Sequence, residues 1–179
     1  DVMYVLLMGL AGKLYDESKY LNRAHEFVKH LERHMMPKGA FNYIKSSCEV
    51  PVYHGIVITC LGRYWQVTGD PLAQELILKS KEYYPTVLGF GVCPKTTYPW
   101  FKIQMGRSSR PAPIDVVASM TEDGRNKYLA QMFEDDSLIE DIYAVDFWEN
   151  DLEAVKPEQN VIKKDSNING IRGRFGDFS

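Results

Sequence analysis

Tyr53 and His54 stand side by side in Ser46-Ser47-Cys48-Glu49-Val50-Pro51-Val52-Tyr53-His54-Gly55, heading an apolar run that predicts a helix to about Thr68. Proline suits the first helical position, and Ser47 or Glu49 can cap the free amides before it. A helix start also presents unpaired N–H groups and partial positive charge, which favours an anionic ligand. Two proton-transfer side chains beside a natural carboxylate site are the makings of an acid–base centre. His54 is the leading candidate, for proton transfer or for charge neutralisation. It shares a helix face with Ile58, Leu61 and Trp65, so a core histidine bonded to a backbone carbonyl accounts for the same spacing. Tyr53 lies on another face with Val57, Cys60 and Tyr64, where packing is the simpler account.

Further residues could line the same mouth. Asn42 and Tyr43, in Gly39-Ala40-Phe41-Asn42-Tyr43-Ile44, approach the helix start as a short extended segment, and Glu49 suits the helix dipole. Tyr98-Pro99-Trp100-Phe101-Lys102 offers aromatic platforms beside a cation, with Arg107 and Arg110 adding positive charge nearby. A sugar ring packs its C–H face on such rings, and Lys or Arg meets a carboxylate or sulfate. A loop plugged into the core by its aromatics explains that segment equally well. His30 and His34 are four residues apart, a spacing that can bind metal. His30-Leu31-Glu32-Arg33-His34 lacks a Glu directly after the first His, however, and its face is wet, so no metal site is expected. Gly170, Gly173 and Gly176 lack the strand–helix unit of a dinucleotide site.

The chain of 179 residues has a formal net charge of −3, which argues against a general nucleic-acid binder because a phosphate backbone rewards a basic surface. A hydrophobic fraction of 45% without excess Gly or Pro predicts a folded chain. Cys48, Cys60 and Cys93 are odd in number and not spaced as zinc ligands, which predicts neither a disulfide framework nor a zinc site. No cofactor is predicted. No apolar run is long enough to span a bilayer, and no signal peptide is visible. The opening Val2-Met3-Tyr4-Val5-Leu6-Leu7-Met8 and the closing Arg172-Gly173-Arg174-Phe175-Gly176-Asp177-Phe178-Ser179 read as a segment of a longer protein.

The elements that must hold these residues come from a weak internal repeat. A turn with an acidic residue recurs as Tyr15-Asp16-Glu17-Ser18, Thr68-Gly69-Asp70-Pro71 and Thr121-Glu122-Asp123-Gly124, placing Glu17, Asp70 and Asp123 at intervals of 53 residues. Fixed periods of this size signal stacked supersecondary units. Residues 2–14 and 52–67 are apolar on nearly every face, the mark of helices buried all round. The helix after the first turn carries Leu21, Ala24, Val28, Leu31 and Met35 on one stripe, with Arg23, Glu26, Lys29 and Arg33 elsewhere. Outer helices over about 72–84 and 125–134 repeat that style. Alternating inner and outer helices joined as hairpins describe an (α/α) toroid or an α-solenoid. A loop over about 85–112, rich in Gly, Pro and aromatics, is long enough to carry function. Residues 160–179, with the turn signal Asn169-Gly170, read as the start of a β region. The expected organisation is a helical-hairpin segment over 1–135, a linker over 136–159 and the beginning of a β region over 160–179.

The runs Gly39-Ala40-Phe41-Asn42-Tyr43-Ile44, Glu49-Val50-Pro51-Val52-Tyr53-His54-Gly55 and Arg63-Tyr64-Trp65-Gln66-Val67-Thr68-Gly69-Asp70-Pro71 together resemble the toroid domains of bacterial polysaccharide lyases related to heparinase II/III and alginate lyases. Arg172-Gly173-Arg174-Phe175-Gly176 resembles the entry to the β-sheet domain that follows such toroids. The resemblance implies a mainly α fold, an incomplete (α/α) toroid followed by the start of a β-sheet domain. It also implies β-elimination of a uronic-acid-containing polysaccharide, a periplasmic or secreted location, and an acidic polysaccharide or oligosaccharide partner beside the remainder of a longer chain. A structural divalent cation elsewhere in the full protein is compatible with it. In such lyases an Asn-His pair works with a distant Tyr. No Asn precedes His54 here, and Tyr98 is the candidate for the second tyrosine. Two other classes fit the same helices. A toroid glycoside hydrolase would need two facing carboxylates, for which Glu49 and Asp115 are the acids near inner helix starts. A non-catalytic helical module binding a glycan or protein would bury His54 with no cavity beside it.

Overall fold

The turn residues set the architecture. In the computed structural model, which describes residues 2–42, 51–87, 111–132, 151–165 and 170–175, three helical hairpins are joined at the three acidic turns. Helices α1 (Val2–Leu14) and α2 (Ser18–Glu32) form the first, α3 (Pro51–Thr68) and α4 (Pro71–Lys79) the second. A short α5 (Tyr83–Val87) follows, and α6 (Pro111–Thr121) with α7 (Gly124–Met132) forms the third.

Each turn uses the same backbone device. Asp16, Gly69 and Glu122 hold left-handed φ values of 53°, 72° and 49°, and they are the equivalent residues of the 53-residue period. A left-handed residue just past a helix end lets the next amides reach back to the last carbonyls. Glu17 N–H accordingly donates to Gly12 O at 3.0 Å, Gly69 N–H to Trp65 O at 2.7 Å, and Asp123 N–H to Ala118 O at 3.1 Å. Those three acceptors also share one repeat position. The acidic residue then starts the outgoing helix. Asp70 Oδ1 accepts from Leu72 N–H at 3.0 Å, and Asp123 Oδ1 accepts from Arg125 N–H at 2.8 Å. Glu17 stands at the same place without a side-chain cap, because its extra methylene carries the carboxylate past the free amides.

Helices α1, α3 and α6 pack side by side, with α3 in the middle and α2, α4 and α7 against their partners. Gly9 of α1 makes the first contact close: a Cβ there would lie 2.6 Å from the Tyr64 ring of α3. Ile58, Leu61, Leu76, Ile77, Ile114, Val116 and Leu129 are wholly withdrawn from water, each contributing about 2 kcal/mol of transfer free energy.

The structure corrects two expectations about helices. α1 is not buried all round, since Met3, Leu7, Leu10 and Leu14 form an exposed row along it. Its composition is that of a fully buried helix, but the packing leaves one side uncovered. The outer helix over 72–84 is broken as well, with α4 ending at Lys79 and α5 starting at Tyr83. Pro85 explains the break, because a continuous helix would drive its ring into the carbonyl four residues earlier. Restarting at Tyr83 puts Pro85 in a first turn, where its missing N–H costs nothing.

Residues 151–159, expected as part of a linker, lie against the last hairpin turn: Val155 N–H donates to Gly124 O at 2.8 Å, and a Cβ on Gly124 would meet the Val155 side chain at 2.7 Å. Strands β1 (Asn160–Asp165) and β2 (Gly170–Phe175) then pair antiparallel with Asn160 opposite Phe175 and Asp165 opposite Gly170, in the region expected to be β. Among the described residues the protein is mainly helical, and no helix is long and apolar enough to cross a membrane.

Candidate functional site

His54 sits in the first turn of α3, which opens with Pro51. What surrounds it comes from two segments distant in sequence. After α2 the chain turns at Gly39 (φ 76°), where Met36 N–H donates to Ala40 O at 2.7 Å and Asn42 N–H returns to His34 O at 3.1 Å. This short extended segment is pinned from the other side by Ser80, whose hydroxyl donates to Gly39 O at 2.7 Å. It delivers Phe41 to the imidazole. The break between α4 and α5 delivers Tyr83 and Tyr84.

The three rings enclose His54. Phe41 stacks on it at 5.8 Å between centroids, Tyr83 lies tilted at 4.1 Å and Tyr84 at 5.4 Å. His54 is 0% exposed. The backbone N–H of Phe41 donates to Nδ1 at 3.3 Å. An amide N–H can only donate, so Nδ1 is the unprotonated nitrogen, and the neutral ring carries its hydrogen on Nε2. Among the described residues Nε2 has no hydrogen-bond partner. Burial lowers the pKa of His54 from 6.5 to about 3, so the ring is neutral at pH 7. The arrangement is a buried neutral imidazole presenting one unclaimed donor. It can hydrogen-bond a carboxylate or a developing oxyanion; as a proton acceptor it is poor, because its free nitrogen already holds a proton and the cation is disfavoured.

The other candidates distribute unevenly. Asn42 is half-buried in the extended segment, its backbone N–H donating to His34 O. Tyr53 is half-buried beside His54 on α3. Tyr43, Glu49, Tyr98, Trp100, Lys102 and Arg107 lie outside the described residues. Asp115, the acid a hydrolase would need near the start of α6, is buried with its carboxylate 3.7 Å from Lys127 Nζ. His30 and His34 meet ring to ring at 4.6 Å, and no group of three metal-binding side chains occurs among the described residues. A shallow pocket of about 390 Å3 lies between the ends of α2 and α4, lined by Glu32, Met35, Met36, Pro37, Gly39 and Lys79, and it includes none of the predicted site residues.

Sequence reasoning placed Trp65 with His54 and overlooked Phe41, Tyr83 and Tyr84. The only local signal was Tyr83-Tyr84-Pro85, where a proline forces the helix to restart and so turns two adjacent rings inward. A second cluster also went unforeseen. Tyr64 OH donates to Asp70 Oδ2 at 2.8 Å, and His25 Nδ1 meets the same oxygen at 2.8 Å. Burial pushes the Asp70 carboxyl up, but the hydrogen bonds from His25, Tyr64 and the Leu72 amide outweigh it and hold the group below its ordinary value. Burial, reinforced by that carboxylate, pushes the Tyr64 hydroxyl up.

Compared with protein-family models, with curated proteins and with solved structures, the chain matches none.

Proposed function

We propose that this chain carries the carboxylate-recognising part of a lyase that cleaves a uronic-acid-containing polysaccharide by β-elimination, with His54 at its centre. One observation carries the reading: the buried, neutral imidazole at the head of α3, whose Nε2–H has no acceptor among the described residues. A buried donor without an acceptor is costly, by about 1–3 kcal/mol, and such a group is kept where a ligand supplies the missing partner. The positive end of α3 adds to the attraction of an anion.

In β-elimination the uronate carboxylate accepts a hydrogen bond from Nε2–H, which draws charge from the carboxylate and makes the C5 proton acidic. The C5–H bond then breaks, the C4–C5 double bond forms and the bond from C4 to the glycosidic oxygen breaks, with a proton delivered to the departing oxygen. A donor at Nε2 leaves both proton transfers to other groups. Tyr53 and Tyr98 are the candidates for them, with Asn42, Tyr43 and Glu49 at the mouth and Trp100, Lys102 and Arg107 holding neighbouring sugars.

A specific observation also favours a second reading, a non-catalytic helical module in which His54 is a packing residue: its ring is sealed among Phe41, Tyr83 and Tyr84. The hydrolase reading has less support, since Asp115 is engaged by Lys127. Incubation with alginate, heparin or a related polyuronate separates the three. A lyase raises ultraviolet absorbance as the conjugated double bond forms. Reducing ends released without that absorbance indicate hydrolysis, and neither signal leaves the binding module.

A further inference from the structure

The exposed row on α1 occupies a position that the other inner helices use for packing. Leu7, Cys60 and Pro113 are equivalent residues of the 53-residue period. On α6, Pro113 faces the preceding inner helix: a Cβ on Gly55 of α3 would lie 3.1 Å from its ring. On α3, Cys60 is 8% exposed and lies one turn before Tyr64, the residue that packs against Gly9 of α1. On α1, Leu7 is 61% exposed, and Met3, Leu10 and Leu14 extend the row on either side. Gly9, two residues on and therefore on the far side of α1, is the residue that meets α3. The open row thus faces away from α3, where α3 and α6 each have an inner helix as neighbour.

We infer that the Met3–Leu7–Leu10–Leu14 row is the docking face for the inner helix of a further hairpin of this same repeat, carrying a small residue opposite Leu7 as Gly55 stands opposite Pro113. The existing interfaces say what covers such a face. α1 meets α3 through a glycine, α3 meets α6 through a glycine, and in both cases the contact joins one apolar inner helix to another. An exposed row of four large apolar side chains is otherwise a liability for a folded protein, and the row bears no charge to suit a polar partner.

The test uses the full chain with Leu7→Cys, in a background where Cys48 and Cys93 are Ser and buried Cys60 is retained. A second copy of the α3–α4 hairpin, residues 51–80 with the cysteine of that copy replaced by Ser, is joined ahead of residue 1 through a flexible Gly/Ser linker. Maleimide labelling of the new thiol is compared in the extended and unextended proteins. The inference expects labelling to slow by at least about tenfold on extension, and Leu10→Glu to restore the fast rate. Unchanged labelling on extension overturns it. So does an unextended chain that sediments as a dimer with its Leu7→Cys thiol already protected, since the occupant is then a second copy.

Discussion

The backbone N–H of Phe41 donates to Nδ1 of His54, 13 residues further along the sequence, and this one bond decides where the imidazole keeps its proton. It makes Nε2 the donor. It also ties the state of His54 to the short segment that Gly39 and Ser80 hold in place, so the geometry of the site depends on the turn after α2 as much as on α3.

Proton linkage at His54 should be visible in stability. Its pKa is lowered from 6.5 to about 3 in the folded chain. Between those values the unfolded chain binds a proton that the folded chain refuses, so stability falls as pH falls. From pH 7 to pH 5 the loss is about 2 kcal/mol. Urea unfolding at the two pH values measures it, and His54→Phe should remove most of the difference. The same difference in both proteins would assign the pH dependence to another group.

Asp70 should be the costliest of the turn acids to replace. It caps α4 and accepts from both Tyr64 and His25. Asp70→Ala removes the cap and strands a buried tyrosine hydroxyl, for an expected loss of about 2–4 kcal/mol in urea unfolding. Because the carboxyl of Asp70 is held below its ordinary value of 3.8, its contribution is present above that pH and is lost as pH falls through the lowered value. Glu17→Ala should cost under about 0.5 kcal/mol, since Glu17 makes no side-chain cap.

The left-handed turn residues give opposite-signed outcomes. Glu122 holds φ at 49° without being glycine, so Glu122→Gly should relieve strain and stabilise by up to about 1 kcal/mol. At the equivalent Gly69, with φ of 72° and open space around it, Gly69→Ala should destabilise by about 1 kcal/mol. Thermal unfolding of both variants reads the two signs.

These turns also show what was legible in the sequence. The period joining Glu17, Asp70 and Asp123 could be read directly, because each hairpin needs a helix stop and a helix start at one place, and those signals are local. The start of α3 at Pro51 and the extended character of 160–165 and 170–175 were legible for similar reasons, whereas the pairing between the two strands was not. The exposure of Leu7 was not, because composition reports that a helix can be buried and not whether a neighbour exists to bury it. Nor was the enclosure of His54. Phe41 and Tyr84 reach it through packing between segments, and Tyr84 lay in what read as a continuous outer helix until Pro85 is counted against it. The loop residues Tyr98, Trp100, Lys102 and Arg107 carried a chemical signal, aromatics beside cations, that lies outside the described residues.

The central claim is tested most directly by following ultraviolet absorbance while the wild-type chain and His54→Phe act on a polyuronate, with urea unfolding of both at pH 7 as the control. Phe fills the ring-lined space of the imidazole and removes the Nε2 donor together with the Nδ1 acceptor of the Phe41 N–H, a loss that the unfolding control registers. The account predicts that absorbance rises with the wild-type chain and that kcat/KM falls by about 10²-fold or more in His54→Phe while the protein stays folded. Equal turnover in the two folded proteins, or no absorbance change with the wild-type chain on any polyuronate, would contradict it.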